Sequence, residues 1–403
     1  MAEVVFPTPP FWLAMVTIRA FGFLSEDDLA LGFDDIGGLP MLEVFNPFCA
    51  VAMVLPSGLA RFSCVLVRDS ILTPSRQTGE IRVMEVIRGF DQIKASWPHV
   101  VVTIGNFDGV HLGHQRILAL AVEEARSRGG VAVAFTFRPH PQIALHPEKE
   151  LQLLSSYEEK LDLLAEAGID ITLEQPFSRE FSITDPEQFF SEVLLKRLNA
   201  EAIVVGYDFG FGRGRGGHLQ VLHDLCERAG VKLSIVQAQQ RAGEVASSSR
   251  IRTHLLQGEV EKANQLLGRE FAYRGVVVRG EGRGRVLGFP TANLRLERKL
   301  VLPWGVYATW AVLDDGRVFQ SVTNVGVRPT FTVESLRDTE GGDRGFPALI
   351  ETHILDQSMD LYGRMLQVRF VRRLREERKF SGVDSLKAQI ANDIVDARQS
   401  LDG

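Results

Sequence analysis

Near residue 269 the sequence changes period, and no single sheet can accommodate both halves. From Val100 onward, short β-branched runs at Val100–Ile104, Val131–Phe137, Ile169–Leu173, Ala202–Gly206 and Val231–Val236 read as strands. Between them lie helical stretches: His114–Arg126, a segment from Ser155 or Ser156 to Ala167, Pro186–Leu198 and Gly217–Ala229. Glu158 or Glu159 closes a capping box at the second of these. Strands separated by helices imply a parallel sheet covered on both faces, which takes its ligands outside the carboxyl ends of its strands. After Arg269 the helices disappear. Tyr273–Val278, Val306–Leu313, Val318–Val325, Leu349–Leu355 and Met365–Val371 read as strands joined by turns such as Asp314-Asp315-Gly316, and one helix, Val383–Arg398, closes the chain. That pattern predicts a small antiparallel barrel with a C-terminal helix.

A chain of 403 residues exceeds one ordinary core. The boundary falls within 266–272, giving domains at 84–268 and 269–403. Residues 1–83 stand apart: they contain no Lys, His or Tyr, yet hold eight of the 25 Phe. They read as a poorly structured extension or a mis-set start at Met84, with a small accessory domain as the alternative. A hydrophobic content of 45% with 24% charged residues is that of a soluble globular protein. The net charge of −6 opposes a dedicated nucleic-acid binder. Cys49, Cys64 and Cys226 form neither an even framework nor a metal-spaced pair. No apolar run reaches the roughly 18 to 20 residues of a spanning helix, and the start lacks a basic secretory signal. A cytoplasmic protein without a membrane is expected.

The first chemical constellation is Gly105-Asn106-Phe107-Asp108-Gly109-Val110-His111-Leu112-Gly113-His114, which leaves a buried strand and opens a helix. Glycines allow backbone to approach a ligand closely, and helix N–H groups with the positive helix end attract phosphate. His111 and His114, three residues apart, can address one anion. A well-placed donor in such a site is worth about 3 to 4 kcal/mol, the helix end about 1 kcal/mol. The histidines should therefore dominate the rate. A lone histidine here would more often cap the helix or fill the core; the pair at a strand–turn–helix junction favours phosphate chemistry. The segment resembles the His-x-Gly-His nucleotidyltransferase superfamily, whose members join a nucleotide to an acceptor and release pyrophosphate.

Three further segments narrow the class. Phe135-Thr136-Phe137-Arg138-Pro139-His140-Pro141 ends a strand and is either part of the same rim or an ordinary Pro-rich exit. Gly206-Tyr207-Asp208-Phe209-Gly210-Phe211-Gly212 follows another strand; its extension Arg213–Gly217 is too short for an RGG-like RNA-binding stretch. Ser247-Ser248-Ser249-Arg250-Ile251-Arg252 opens a helix with more hydroxyls and guanidiniums than N-capping explains. Together the four segments are similar to the FAD synthetase module of the bacterial bifunctional riboflavin kinase/FAD synthetase family, over roughly Met84 to Leu267. The resemblance implies that Gly105, Asn106, Phe107, Asp108 and Gly109 cradle ATP and that His111 and His114 contact its phosphates. It places Asp208 near the nucleotide, and Ser248, Ser249 and Arg252 on the phosphate tail. Many members carry Thr at position 249 and either Asn or Asp at 208.

The second constellation joins Gly280-Glu281-Gly282-Arg283-Gly284-Arg285 to Leu287-Gly288-Phe289-Pro290-Thr291-Ala292-Asn293-Leu294. Glycines and arginines suit a flexible flap over polyphosphate. Thr291 and Asn293 share one face at period two and offer two neutral oxygens, a workable set for Mg²⁺ carried by a nucleotide. A plain Gly/Arg hairpin with a Pro turn is the alternative. Glu351, in Glu351-Thr352-His353-Ile354-Leu355-Asp356, could take the proton from an attacking primary alcohol, though a strand glutamate is commonly just a solvated face. Alternation puts Glu351 and His353 outward, Ile350 and Thr352 inward. With Asn324–Phe331, Asp360–Gly363 and Arg375–Phe380 in order, Gly275–Asp393 is similar to riboflavin kinase. The resemblance makes Thr291 and Asn293 the Mg·ATP ligands, Glu351 the catalytic base, and Gly282, Arg285, Gly288 and Pro290 parts of the ATP and flavin site. Thr332–Ala348 is longer than usual and should loop out of the barrel. The basic run Arg372, Arg373, Arg375, Arg378 and Lys379 is by default a solvated face.

The resemblance implies an α/β, Rossmann-like doubly wound nucleotidyltransferase domain followed by an antiparallel six-stranded riboflavin kinase barrel. It implies two reactions: ATP and riboflavin give FMN, then ATP and FMN give FAD and pyrophosphate. Mg²⁺ accompanies ATP, and FMN and FAD serve as substrate and product rather than prosthetic group. Expected partners are ATP, riboflavin and FMN, with no nucleic acid and no membrane; homo-oligomerisation stays open. The alternatives are a nucleotidyltransferase with another phosphate acceptor and an RNA-binding regulator using the basic segments.

Overall fold

The computed structural model describes residues 30–36, 39–45, 50–53, 65–67, 70–74, 81–280, 282–296, 298–327 and 348–402. These fall into two compact units, one running to Leu151 and again over Tyr157–Gln239, the other taking Gln152–Ser156 and everything from Gln240. Before residue 81 the described residues are short strands, of which Ala30–Ile36, Leu39–Phe45 and Ala50–Met53 pair antiparallel with one another. The reading of 1–83 as an extension turns mostly on residues outside the described set, and so does the expected loop at 332–348.

The first unit is built on one eight-stranded sheet. Its strands are β1 (Val65–Val67), β2 (Ser70–Pro74), β3 (Ile81–Arg88), β4 (Val100–Ile104), β5 (Ala132–Arg138), β6 (Ile171–Pro176), β7 (Ala200–Gly206) and β8 (Lys232–Val236). Their order is β8-β7-β4-β5-β6-β3-β2-β1. From β8 to β3 every pairing is parallel; β2 and β1 add an antiparallel edge. In the middle of the sheet both faces are covered, and all five residues of β4 are buried. One face packs α1 (Leu112–Ser127) and α2 (Tyr157–Glu166) through Leu118, Ala121, Leu161 and Leu164. The other packs Phe189, Phe190, Val193 and Leu194 with α3 (Leu219–Ala229). A fully buried Leu or Phe here contributes about 1.5–3 kcal/mol.

Two local expectations are corrected. The helix expected over 186–198 is a π-helix from Phe189 to Arg197, with the Leu198 amide reaching back to the Val193 carbonyl. Phe189, Phe190, Val193 and Leu194 are buried in one core. The helix expected from Gly217 begins at Leu219, because Gly217 and His218 pair instead with Gly210 and Phe211. A Cβ on Gly217 would lie 2.6 Å from the Phe211 ring, so only glycine lets that ladder close.

The second unit opens with α4 (Ser248–Leu256) and α5 (Val260–Leu267). A closed six-stranded antiparallel barrel follows: β9 (Phe271–Val278), β10 (Ala292–Leu296), β11 (Gly305–Leu313), β12 (Val318–Val327), β13 (Ala348–Ile354) and β14 (Met365–Glu376), in the order β9-β10-β13-β12-β11-β14. Strict alternation along β9 marks its two faces. Inside, Tyr273, Tyr307 and Phe370 meet edge to face, while Thr309, Ser321, Thr323 and Thr352 hydrogen-bond to one another at 2.7–3.0 Å. Buried hydroxyls that satisfy each other avoid the penalty of unpaired polar groups. Outside, α6 (Val383–Leu401) covers Val306, Ala308 and Val322 through Ala397.

Candidate active sites in the two units

In the first unit, strand order reverses at β4: the chain goes next to β5 on one side and returns later to β7 on the other. The loop leaving β4 therefore opens onto the crevice where such sheets have room for a ligand. Phe107, Gly109 and Val110 all have positive φ, at 50°, 76° and 38°. For Phe107 and Val110 that conformation costs about 1–3 kcal/mol each and persists only where contacts enforce it. The buried Phe107 ring fills the space beside Gly105, where a Cβ would come within 3.1 Å, and stands edge-on to His114.

His111 is the N-cap of α1. Its Nδ1 accepts the amide protons of Gly113 at 3.2 Å and His114 at 3.4 Å. A ring nitrogen that accepts carries no proton, so the neutral imidazole holds its hydrogen on Nε2 and offers it away from the helix. The helix N–H groups were expected to meet phosphate directly; two of them are instead satisfied by His111, which presents a side-chain donor in their place. The His114 ring stacks on His111 with centroids 3.7 Å apart and planes at 22°. No acidic residue stands in the first turn of α1 to repel an anion. Asp208 lies just past β7, and its Oδ1 is 3.2 Å from where a Cβ on Gly206 would sit, with Ile117 of α1 equally near. It thus flanks the same crevice as Asn106, Asp108 and the two histidines.

Sequence reasoning missed a buried charged cluster beside this loop. Lys160 of α2 donates to the Thr136 hydroxyl at 3.0 Å and the Phe137 carbonyl at 3.1 Å. Thr136 in turn donates to the Asn106 carbonyl at 3.3 Å. Glu174 is the register neighbour of Thr136 and is buried without a hydrogen bond. Burial pushes the Lys160 ammonium down to about 8 and the Glu174 carboxyl up. A lysine within an amphipathic helix looks like a solvated face in sequence; only its burial distinguishes it.

Ser248, Ser249 and Arg252 belong to the second unit. Ser247 is the N-cap of α4, accepting the Arg250 amide at 3.2 Å, which leaves Ser248 and Ser249 at the first turn. Arg252 Nε donates to the Gln152 carbonyl at 2.7 Å.

On the barrel, Asn293 pairs with Glu351 across β10 and β13, and Glu351 pairs with Asn324 across β13 and β12. The three lie in one row. Their inward neighbours, Ile350, Thr352 and Leu294, are buried in the barrel, so the row faces outward as alternation requires. Asn293 is nonetheless buried, because the segment at Gly280 crosses it: a Cβ on Gly280 would come within 2.4 Å of Asn293 Nδ2. Thr291 stands beside Gly284, its Oγ1 3.2 Å from the position of a Cβ there. The expected flexible flap is a short helix, Arg283–Leu287, capped at both ends by left-handed glycines, Gly282 at φ 71° and Gly288 at φ 92°. Arg285 and Pro290 are exposed, and the Pro290 carbonyl accepts from His353 Nδ1 at 2.8 Å. Asn324 opens one of the segments that carry the riboflavin kinase resemblance but has no assigned role there; strand register puts it beside Glu351. Its Nδ2 and a Glu377 carboxylate oxygen each lie 3.5 Å from where a Cβ on Gly326 would be.

The basic run is exposed at Arg372, Arg378 and Lys379 and half-buried at Arg373 and Arg375. Arg372 pairs with Glu261 at 2.7 Å, Arg373 donates to the Trp304 carbonyl, and Arg375 grips the buried Asp393 with two bonds of 2.8 Å. Among the described residues no cluster of three His, Cys, Asp or Glu side chains could hold a metal ion, and no helix is long and apolar enough to cross a membrane.

Comparison with known proteins matches the FAD synthetase family over residues 93–250 and the riboflavin kinase family over 267–401. Bifunctional riboflavin kinase/FMN adenylyltransferases are similar over most of the chain. That of Escherichia coli (strain K12) is 37% identical over 78% of this chain and 97% of its own. That of Bacillus subtilis (strain 168) is 35% identical over 76% and 93%. A crystal structure from Streptococcus pneumoniae, described as a macrolide-efflux protein, superposes with a TM-score of 0.68 at 30% identity, covering 78% of this chain and 98% of that one.

Proposed function

Because this chain belongs to the family of bifunctional riboflavin kinase/FMN adenylyltransferases, we propose that each of its two activities is carried by one of two rims, the outer face of the barrel and the loop after β4. The chain phosphorylates riboflavin to FMN and adenylylates FMN to FAD, with ATP as donor in both steps.

In the barrel, the riboflavin 5′-hydroxyl attacks the γ-phosphorus of ATP, the bond to the β-phosphate oxygen breaks, and ADP leaves. Glu351 takes the hydroxyl proton. The observation that carries this assignment is the register of Glu351 between two neutral amides, Asn293 and Asn324, on the outer face. The Thr291 hydroxyl and the Asn293 amide oxygen are neutral donors of the kind that hold Mg²⁺ together with nucleotide phosphates. Bound there, Mg²⁺ would neutralise developing phosphate charge. Gly282, Gly288, Arg285 and Pro290 shape and border the segment that closes over it.

In the first unit, an FMN phosphate oxygen attacks the α-phosphorus of ATP and pyrophosphate leaves. His111 through Nε2–H, with His114 stacked on it, donates to the phosphate as charge builds. The coiled loop from Gly105 to Gly109 brings backbone to the nucleotide, and Asp208 borders it. Ser248, Ser249 and Arg252, at the start of α4 in the second unit, are the remaining candidates for phosphate contact. We assign 84–268 to adenylylation and 269–403 to phosphorylation; the compact units divide earlier, at Gln240, and Val65–Val67, Ser70–Pro74 and Ile81–Arg88 belong to the sheet of the first unit. The protein acts in the cytoplasm, where ATP is available.

Purified protein with ATP should turn riboflavin into FMN and then FAD, and supplied FMN into FAD alone. Chromatography of products with riboflavin, FMN and other phosphate acceptors in parallel tests this. Equal use of an unrelated phosphate acceptor would favour the different nucleotidyltransferase.

A further inference from the structure

We propose that Lys160 is a positioning residue for adenylyl transfer, holding the loop that carries His111 through the hydroxyl of Thr136, and that it does so only as the ammonium ion. This rests on reading the first unit as the FMN adenylyltransferase site.

The loop from Gly105 to Val110 needs anchors, because Phe107 and Val110 sit at φ 50° and 38°. Three anchors are visible. The Gly105 amide donates to the Phe135 carbonyl at 3.1 Å, Gln115 Nε2 donates to the Val110 carbonyl at 2.9 Å, and Thr136 donates to the Asn106 carbonyl at 3.3 Å. The third differs from the others in being conditional. A hydroxyl has one proton, and an ammonium can only donate. While Lys160 is charged, it can only donate to Thr136 Oγ1, which leaves the Thr136 proton for Asn106. A neutral amine can instead accept that proton, and the Asn106 carbonyl then loses its partner.

Lys160 is 4% exposed, so its charge is costly and must be balanced locally. Glu174 and Asp108 attract it, Arg138 opposes it, Glu158 on its own helix attracts it, and the Tyr157 ring lies 5.3 Å away. Glu174 is the natural counter-charge: it is 2% exposed, makes no hydrogen bond, and has Arg138 Nη1 only at 3.8 Å. Desolvation nevertheless dominates, and the ammonium is pushed down to about 8. Since the folded protein releases this proton well below the ordinary lysine range, the anchor is present at neutral pH and lost as pH rises through about 8.

The test compares Lys160→Met, Lys160→Arg, Thr136→Val and Thr136→Ser in the full chain. FAD formation from FMN and ATP is followed against pH, with FMN formation from riboflavin as an internal control of folding. Lys160→Met and Thr136→Val should each lose about 10- to 100-fold in kcat/KM for FMN, with riboflavin phosphorylation unchanged. The pair combined should be no worse than the worse single variant, because both break one relay. Thr136→Ser should recover most of the activity. In the unsubstituted protein kcat/KM should fall about tenfold per pH unit above about 8. Lys160→Arg, whose guanidinium stays charged, should lack that alkaline limb. Undiminished adenylylation in Lys160→Met, or an alkaline limb that persists in Lys160→Arg, overturns the inference; should Lys160→Met fail to fold, the second result decides alone. If the unsubstituted protein makes no FAD from FMN, the reading beneath it has failed instead.

Discussion

Asn293 and Glu351 are direct cross-strand partners on the outer face of the barrel, the first roofed by Gly280 and the second flanked on its far side by Asn324. Residues paired in register stand about 4.5–5.5 Å apart at Cβ. A nucleotide held at Asn293 is therefore within reach of a base at Glu351. Both cross-strand neighbours are neutral amides.

Glu351→Gln keeps the shape and removes the proton acceptor. FMN formation from riboflavin should fall by roughly 10²- to 10⁴-fold, while FAD formation from supplied FMN stays at the original rate. Chromatographic separation of FMN and FAD measures both at once. Survival of phosphorylation within about twofold, well short of the loss a general base supplies, would remove Glu351 from the role of base.

Gly280→Ala places a methyl where Asn293 Nδ2 now lies, 2.4 Å from the ideal Cβ position. Either Asn293 swings out or the covering segment lifts. Riboflavin phosphorylation should drop by about tenfold or more, with adenylylation of FMN untouched. A steady-state comparison of both reactions in this single variant is sufficient.

His111 caps α1 and, in the proposed mechanism, donates from Nε2; substitution can separate the two. His111→Ala removes the cap of α1, costing about 1 kcal/mol of stability, and removes the Nε2 donor, costing about 10²- to 10³-fold in FAD formation. His111→Asn restores a capping oxygen but no imidazole donor. Its melting temperature should return towards that of the unsubstituted protein while its FAD formation stays low. Parallel recovery of stability and activity would show that His111 only caps the helix.

Arg375 and Asp393 tie β14 to α6 through two bonds of 2.8 Å, with the carboxylate buried. Gln389 adds a third bond to the same carboxylate at 2.7 Å. Arg375→Ala leaves a buried charge without its cation and should cost about 3–5 kcal/mol, visible as a lower unfolding midpoint for riboflavin kinase activity. The double variant Arg375→Met, Asp393→Leu should recover much of that loss, since an apolar pair of similar volume avoids desolvation altogether.

The sequence by itself determined the two architectures and the order of their motifs. Short β-branched runs such as Val100–Ile104, set between helical stretches, read as strands covered on both faces, and the run of short strands after Arg269 reads as an antiparallel barrel. Glycines and histidines at a strand–turn–helix junction likewise declare phosphate chemistry locally. What the tertiary structure decided is everything that depends on register, burial and closure. Asn324 came to stand beside Glu351 because β12 pairs with β13, which no spacing along the chain encodes. Lys160 and Glu174 became buried and coupled because α2 and β6 meet beside the loop after β4, although each alone reads as an ordinary surface charge. Arg375 of β14 turned out to be a half-buried bridge to α6 rather than part of a solvated stripe. Local pattern reports which way a side chain faces on its own element, but a charge acquires its meaning from its neighbours across the fold, and those are fixed only when the chain closes on itself.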